Sequence, residues 1–138
     1  MEYFHGTNKT TATALQSGKV DVSKGGGELG MGFYTGELLL VAKSWATNRH
    51  RKDGAVVACD VPEADYFKLE PLLLSRTDAL DHRNTIKVIS ATRSHTIGVN
   101  VVWSPIVGTT RVDTDQLKFE GKDAEHLLKS KAVARRLT

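Results

Sequence analysis

Five glycines fall within the ten residues Ser23–Gly32, and this density limits what the surrounding chain can form. Glycine loses more conformational freedom on folding than any other residue, so such a segment favours a loop over a regular element. We predict a loop here, between a helix over Thr10–Ser17 that stops before Gly18 and a short strand over Phe33–Thr35. The fold must therefore be built from short elements on either side of this loop.

The other apolar patterns are short as well. Helices are predicted over Glu37–Arg49, Lys122–Leu137 and part of Pro71–Asn84. Strands are predicted over Glu2–His5 (with a turn at Gly6–Asn8), Ala55–Val61, Tyr66–Leu69, Gly98–Trp103 and Gln116–Phe119. In the first of these helices the apolar positions recur at spacings of three and four, and they include Trp45, which we expect in the core. Because strands and helices do not alternate regularly, we predict an α+β fold with a mixed or antiparallel sheet, in one domain over 1–138.

Composition narrows the class of protein. Of the 138 residues, 40% are hydrophobic and 25% are charged, which is typical of a globular domain and excludes a disordered or fibrous chain. The apolar stretches Leu38–Ala42 and Val99–Trp103 are far too short to cross a membrane, and the N-terminus lacks the pattern of a signal peptide. A lone cysteine, Cys59, favours a reducing compartment. We therefore expect a cytoplasmic protein that has no membrane partner.

The formal net charge is +3, and the basic residues form two groups. These are Arg49–Lys52, and Lys129, Lys131, Arg135 and Arg136. Such groups either contact phosphates, of a dinucleotide or a nucleic acid, or form a solvated surface, and the sequence leaves both open. The five histidines show no ligand spacing with cysteine, so we expect no metal site.

Two aromatic motifs are candidates for a binding site. In Tyr3–Thr7, His5 ends a strand and Gly6 follows, so an imidazole would stand beside an accessible backbone; an ordinary strand end is the alternative. In Gly30–Gly36 the rings of Phe33 and Tyr34 must point to opposite faces of a strand. One ring can enter the core while the other stacks on a flat ligand, or both can simply pack at a hairpin rim.

Two further positions carry polar groups. Ser44 lies one step off the apolar stripe of its helix and offers its hydroxyl either to a ligand or to solvent. Near the C-terminus, Leu117 and Phe119 face inward, and Gln116 and Lys118 share the other face with Glu120.

Together these motifs resemble a known family. The chain has His-Gly-Thr at 5–7, Gly-x-Gly-Phe-Tyr-Thr at 30–35, Ala-Lys-Ser at 42–44 and Asp-Gln-x-x-Phe at 115–119. This order is similar to that of ADP-ribosyltransferases of the histidine–tyrosine–glutamate branch, which includes poly-ADP-ribose polymerases and diphtheria toxin. The likeness is greatest to small bacterial and phage domains with glutamine at the catalytic-acid position. The resemblance implies split sheets around an NAD cleft with flanking helices, and cleavage of the nicotinamide–ribose bond.

The resemblance also implies residue roles. His5 would bond a ribose hydroxyl of the adenosine half, and Thr7 belongs to the same cofactor-binding motif. The backbone of Gly6 and the hydroxyl of Ser44 would hold the nicotinamide carboxamide, and Tyr34 would stack on the nicotinamide ring. NAD would be the substrate, and no metal is implied.

Gln116 stands where this branch commonly has its catalytic glutamate. A glutamine can accept a hydrogen bond from the ribose 2′-hydroxyl, but it supplies no negative charge beside the developing cation. Glu120 is the reserve candidate, although it lies ~13 Å further along an extended strand.

The family likeness further predicts a macromolecular acceptor, either a protein or a nucleic acid. It suggests a toxin or effector that acts in a bacterial or host cytosol, with an antitoxin or immunity protein as partner. Three alternatives stay open: a module that binds NAD or ADP-ribose without chemistry, a relative of the RNA 2′-phosphotransferases, and an unrelated small α+β protein.

Overall fold

The computed structural model describes all 138 residues, which form nine strands and five α-helices. The strands are β1 (Glu2–Asn8), β2 (Gly26–Gly27), β3 (Gly30–Met31), β4 (Phe33–Gly36), β5 (Gly54–Asp60), β6 (Leu72–Leu73), β7 (Val101–Pro105), β8 (Asp115–Phe119) and β9 (Ala134–Leu137). The helices are α1 (Lys9–Gln16), α2 (Leu39–His50), α3 (Glu63–Lys68), α4 (Arg76–Val88) and α5 (Lys122–Lys129). None of the five has the length and apolar character that a membrane-spanning helix needs.

Seven strands form one mixed sheet in the order β6-β7-β8-β4-β1-β5-β9. Every neighbouring pair is antiparallel except β6 and β7, which are parallel. The remaining strands, β2 and β3, form a separate two-stranded ribbon within the glycine-rich segment. The predicted α+β class with a mixed sheet is thus confirmed.

The sheet consists of two blocks that a single residue pair joins. β1 pairs with β5 along its whole length, from Glu2 to Asn8. Between β1 and β4, the one pair is Phe4 with Gly36. Beyond it, the later half of β1 and the earlier half of β4 are not paired with each other. We call this opening the β1–β4 gap.

The two faces of the sheet are covered differently. One face carries the main core, in which the buried residues Phe33, Val57, Leu117 and Phe119 of the sheet meet α1 and α5. On the other face, Ala42 and Ala46 of α2 pack on β5. Further residues of that face lie under the glycine-rich segment. The gap therefore separates a half-sheet covered by α2 from one covered by the glycine-rich segment.

Several predicted elements were wrong, and in two strands the reason is that pairing along the sheet overrides local pattern. β1 does not turn at Gly6 but continues to Asn8, since each of these residues lies opposite a residue of β5. The apolar strand predicted over Gly98–Trp103 begins only at Val101. The segment Tyr66–Leu69, predicted as a strand, belongs mainly to α3, where Tyr66 is fully buried.

The predicted C-terminal helix is correct only in its first half. α5 ends at Lys129, and the chain returns as β9 to cover the open edge of β5. The guanidinium of Arg135 donates to the carbonyl oxygens of Leu128 (2.7 Å) and Ser130 (3.1 Å), and so satisfies carbonyls that the helix end leaves free.

Trp45 was also predicted wrongly. It is 52% exposed, and the residues of α2 that are buried are Ala42 and Ala46. The guanidinium of Arg49 lies 5.9 Å from the centre of its ring.

A buried ion pair holds the end of β8 to two loops. The Lys118 ammonium, with a fully buried side chain, donates to Glu120 (2.7 Å) and to the Leu29 carbonyl (2.7 Å). The Glu120 carboxylate also accepts from the N–H groups of Ile97, Gly98 and Val99. Burial alone would raise the pKa of Glu120, but the Lys118 ammonium and the backbone N–H groups outweigh it and lower the pKa below the usual value.

We predict that Glu120→Gln lowers the free energy of unfolding by about 3–5 kcal/mol, because it leaves the Lys118 ammonium buried without its counter-charge. Urea denaturation near pH 7 measures the effect. The contribution should be present above the ordinary glutamate pKa, about 4.3, and should disappear as the pH falls through the lower folded pKa.

Glu125→Gln is the matched control, because Glu125 pairs with Lys129 at the surface of α5 (3.0 Å). That change should cost less than about 0.5 kcal/mol. Equal effects for the two variants would contradict a special role of the buried pair.

Candidate functional site

The backbone of Gly6 points into the β1–β4 gap. In an antiparallel ladder, the N–H and C=O of one residue face the same neighbouring strand. The N–H of Thr138 donates to the Val56 carbonyl (3.0 Å), so Val56 faces β9, and Gly6, opposite Val56, faces away from β5. Because β4 pairs only with Phe4, no strand takes up the amide groups of Gly6. A backbone N–H beside a C=O at this opening matches a carboxamide, which has one donor and one acceptor group.

The side chain of His5 fills part of the gap. Its Nδ1 lies 2.6 Å from the carbonyl oxygen of Tyr34, and its ring stacks on Phe33 with centroids 4.2 Å apart. A carbonyl oxygen can only accept, so Nδ1 carries the proton. Burial lowers the pKa of His5 and outweighs the bond to the Tyr34 carbonyl, which raises it. In the neutral ring, Nε2 is therefore an acceptor, and it has no partner in the protein.

Tyr34 lies on the opposite face from Phe33, as its position in the strand requires. Its hydroxyl donates to the Gly30 carbonyl (2.6 Å) and accepts from the N–H of Leu29 (3.1 Å). Burial raises the pKa of Tyr34 well above its usual value. Gly27 packs on the ring so closely that a Cβ there would lie 2.8 Å from a ring carbon. Tyr34 thus anchors the glycine-rich segment, and that segment covers part of its ring.

Helix α2 occupies the space on the Cβ side of Gly6. A Cβ at Gly6 would lie 2.6 Å from the Ala42 carbonyl oxygen and 3.3 Å from a ring carbon of Trp45. The glycine therefore permits close packing of α2, rather than the side-on approach of a ligand that its sequence suggests. The open side of Gly6 is its backbone edge in the gap.

Ser44 does not join this arrangement. Ser44 is exposed and lies about 160° around α2 from Ala42, so its hydroxyl points away from Gly6. Trp45 is the α2 side chain that lies beside Gly6 instead. Thr7 is buried in β1 on the same face as His5.

Gln116 lies one strand beyond the gap, on the same face as Tyr34. It is opposite Gly36, which is in turn opposite Phe4, so these residues form one row across β8, β4 and β1. The Gln116 Nε2 donates to Glu28 (2.6 Å) and, more weakly, to the Pro105 carbonyl (3.4 Å). Its Oε1 has no partner. A Cβ on Gly36 would meet nothing within 4 Å, so the middle of the row is open.

Glu120 lies outside this arrangement. A cavity of about 440 Å³ opens beside it, lined in part by Glu70, Asn100 and Gly121. Its carboxylate is already bonded to three N–H groups and an ammonium, so it has no free lone pair directed at a ligand. The structure gives Glu120 a structural role.

Three residues of this face, Glu28, Gly36 and Trp45, were not predicted from the sequence as members of a site. Glu28 is the one acidic residue of the glycine-rich segment Ser23–Gly32, which could have marked it. Gly36 closes the aromatic motif, but nothing in the sequence tells which glycine faces open space. The spacing of Trp45 in its helix matches that of the buried residues, so the sequence predicts it in the core rather than in a site.

No family model matches this chain, and no curated protein sequence matches it. Its function must therefore be inferred from the geometry of the gap and from the motifs that form it.

We predict opposite effects for the same substitution at two glycines of this face. Gly6→Ala should lower the free energy of unfolding by about 1–3 kcal/mol, because its Cβ overlaps the backbone of α2. Gly36→Ala should leave it unchanged or raise it slightly, because its Cβ enters open space. Thermal unfolding of the two variants measures both, and equal losses would contradict this account of α2 packing.

We also predict that His5 has a proton on Nδ1 when neutral, and that it titrates below its ordinary pKa of about 6.5. Nitrogen-15 NMR of the ring reports both properties. Since the unfolded chain binds the proton more readily, the stability that neutral His5 provides is complete above about pH 6.5 and is lost as the pH falls.

His5→Asn is the matched variant, because its amide can still donate to the Tyr34 carbonyl but does not titrate in this range. Its unfolding free energy should vary less with pH between about 5 and 6.5 than that of the wild type. A proton on Nε2, or an unchanged pH dependence, would contradict the proposed geometry of the ring.

Proposed function

We propose that this chain is an NAD-dependent ADP-ribosyltransferase, which cleaves the nicotinamide–ribose bond and transfers ADP-ribose to a macromolecular acceptor. One observation carries the proposal: at the β1–β4 gap the backbone edge of Gly6 lies beside the His5 ring, which is bonded across the gap to the backbone of Tyr34. These are the groups on which the family resemblance depends.

Each group suits one part of NAD. The N–H and C=O of Gly6 match the nicotinamide carboxamide. The His5 Nε2, an acceptor in the neutral ring, matches a ribose hydroxyl. The ring of Tyr34 and the exposed ring of Trp45 offer aromatic surface on either side of the gap. The sheet, divided between β1 and β4, supports an ADP-ribosyltransferase-like fold with a split sheet.

The reaction needs little covalent chemistry from the protein. The carbon–nitrogen bond breaks with its electron pair passing to the nicotinamide nitrogen, and the ribose gains cationic character. A nucleophile of the acceptor then bonds to the ribose carbon and releases its proton. The gap would hold the leaving group and the ribose in place, and such positioning is a large source of acceleration. The Gln116 Oε1 is available to accept from the ribose 2′-hydroxyl.

A protein or a nucleic acid is the proposed acceptor. Exposed Arg49, Arg51 and Lys52 follow Trp45 at the end of α2 and form no ion pair, which suits an anionic macromolecule. A toxin or effector role in the cytosol, with an antitoxin or immunity protein as partner, belongs to the same proposal. It rests on the likeness to small bacterial and phage domains.

One observation favours a second candidate, a module that binds NAD or ADP-ribose without turnover. Gln116 carries no charge, and loss of one well-aimed electrostatic group commonly lowers a rate by ~10²–10³. Both candidates bind NAD, but only the transferase cleaves it.

We predict that the purified protein releases nicotinamide from NAD and that His5→Ala lowers the rate at least ~10²-fold, since one aimed hydrogen bond and the tie to Tyr34 are lost. Chromatographic detection of nicotinamide measures the rate. His126→Ala is the control, because His126 is exposed on α5 and should leave release unchanged.

A thermal shift with NAD but no release would favour the binding module. If the protein shows no nicotinamide release and no thermal shift with NAD, both candidates are contradicted. Equal activity of His5→Ala and the wild type would remove His5 from the site.

A further inference from the structure

The glycine-rich segment brings a carboxylate to Gln116. The Glu28 Oε1 accepts from the Gln116 Nε2 (2.6 Å) and from the N–H of Val107 (2.8 Å). Its Oε2 lies 3.9 Å from the Arg83 Nε. The Glu28 side chain is only 16% exposed, so this is a held carboxylate rather than a surface charge.

We propose that Glu28 is the positioning residue of the site, which orients the Gln116 amide and supplies the negative charge that residue 116 lacks. The inference rests on the proposed ADP-ribosyltransferase function and names a residue that the family motifs do not include. Glu28 acts through Gln116 and need not touch NAD itself.

Orientation follows from the hydrogen bond. A glutamine amide can point either its oxygen or its nitrogen toward a ligand, and a carboxylate accepts only from the nitrogen. Glu28 therefore fixes the Nε2 on its own side and leaves the Oε1 free to accept from a hydroxyl. A charged acceptor also polarises the amide to which it is bonded, and so makes the Oε1 a stronger acceptor.

The contact with Glu28 also explains why residue 116 is a glutamine rather than a glutamate. With Glu28 in place, a glutamate at 116 would bring two carboxylates within hydrogen-bond distance, and they could not both stay ionised. Glutamine is the residue of similar shape that donates to Glu28. The pair of residues thus holds one negative charge and one amide, with the charge on the glycine-rich segment rather than on β8.

Three variants test this: Glu28→Gln, Gln116→Glu and the double variant with both changes. Glu28→Gln should lower kcat for nicotinamide release at least tenfold, with KM for NAD changed less than threefold. Gln116→Glu alone should lower kcat as well, because it opposes two carboxylates. The double variant should recover to within threefold of the wild-type kcat, because it restores one carboxylate and one amide with their positions exchanged. Glu63→Gln, an exposed change on α3, is the control and should leave kcat unchanged.

Wild-type kcat in Glu28→Gln, or a double variant no more active than the single ones, would overturn the inference while the proposed function stands. If the wild type neither releases nicotinamide nor shifts its melting temperature with NAD, the proposed function fails first. If Glu28→Gln does not fold, the double variant still tests the inference, because it keeps the hydrogen bond between residues 28 and 116. The inference is then wrong if the kcat of the double variant does not recover to within threefold of the wild-type value.

Discussion

The incomplete ladder between β1 and β4 is the constraint on which the rest of the site depends. Backbone amide groups inside a protein must find partners, and a continuous sheet would supply them. Here the side chain of His5 bonds the Tyr34 carbonyl, which a strand neighbour would otherwise take, and the ladder stops at Phe4 and Gly36. The amide groups of Gly6 are left facing the gap. A sheet opened in this way provides directed backbone donors and acceptors without distorting either block.

The glycine-rich segment completes the site from the other side. It contains the ribbon of β2 and β3, and three side chains of the sheet form hydrogen bonds to it. Tyr34 bonds to Leu29 and Gly30, Lys118 bonds to Leu29, and Gln116 bonds to Glu28. Its glycines allow this closeness, since a Cβ at Gly32 would lie 2.7 Å from the Lys118 side chain. The segment that composition marks as a loop is therefore tied to the sheet by hydrogen bonds, and it brings a carboxylate with it.

Local pattern was enough to predict some elements and not others. The aromatic pair Phe33 and Tyr34 and the alternation at Gln116–Phe119 predicted the correct faces, because successive side chains of a strand point to opposite faces. β9 could not be predicted in this way, because Ala134–Leu137 has little strand propensity and forms a strand only at the edge of β5.

The candidate site was predicted only in part, because some of its contacts depend on the packing of distant segments. His5, Gly6 and Tyr34 are close in the fold because β1 and β4 are neighbours, which the motifs suggested by resemblance. The role implied for Ser44 depends on the rotation of α2, which sequence spacing does not determine, and the structure turns Trp45 toward Gly6 instead. Glu28 meets Gln116 across 88 residues of chain, a contact that no local pattern encodes.

The most direct test of the gap as a binding site is an NMR titration of nitrogen-15-labelled protein with nicotinamide. The account predicts saturable shifts of the Gly6 amide and of its neighbours His5 and Tyr34, because the carboxamide would bond the free backbone edge of Gly6. Shifts confined to the cavity beside Glu120, or none at the gap, would contradict it.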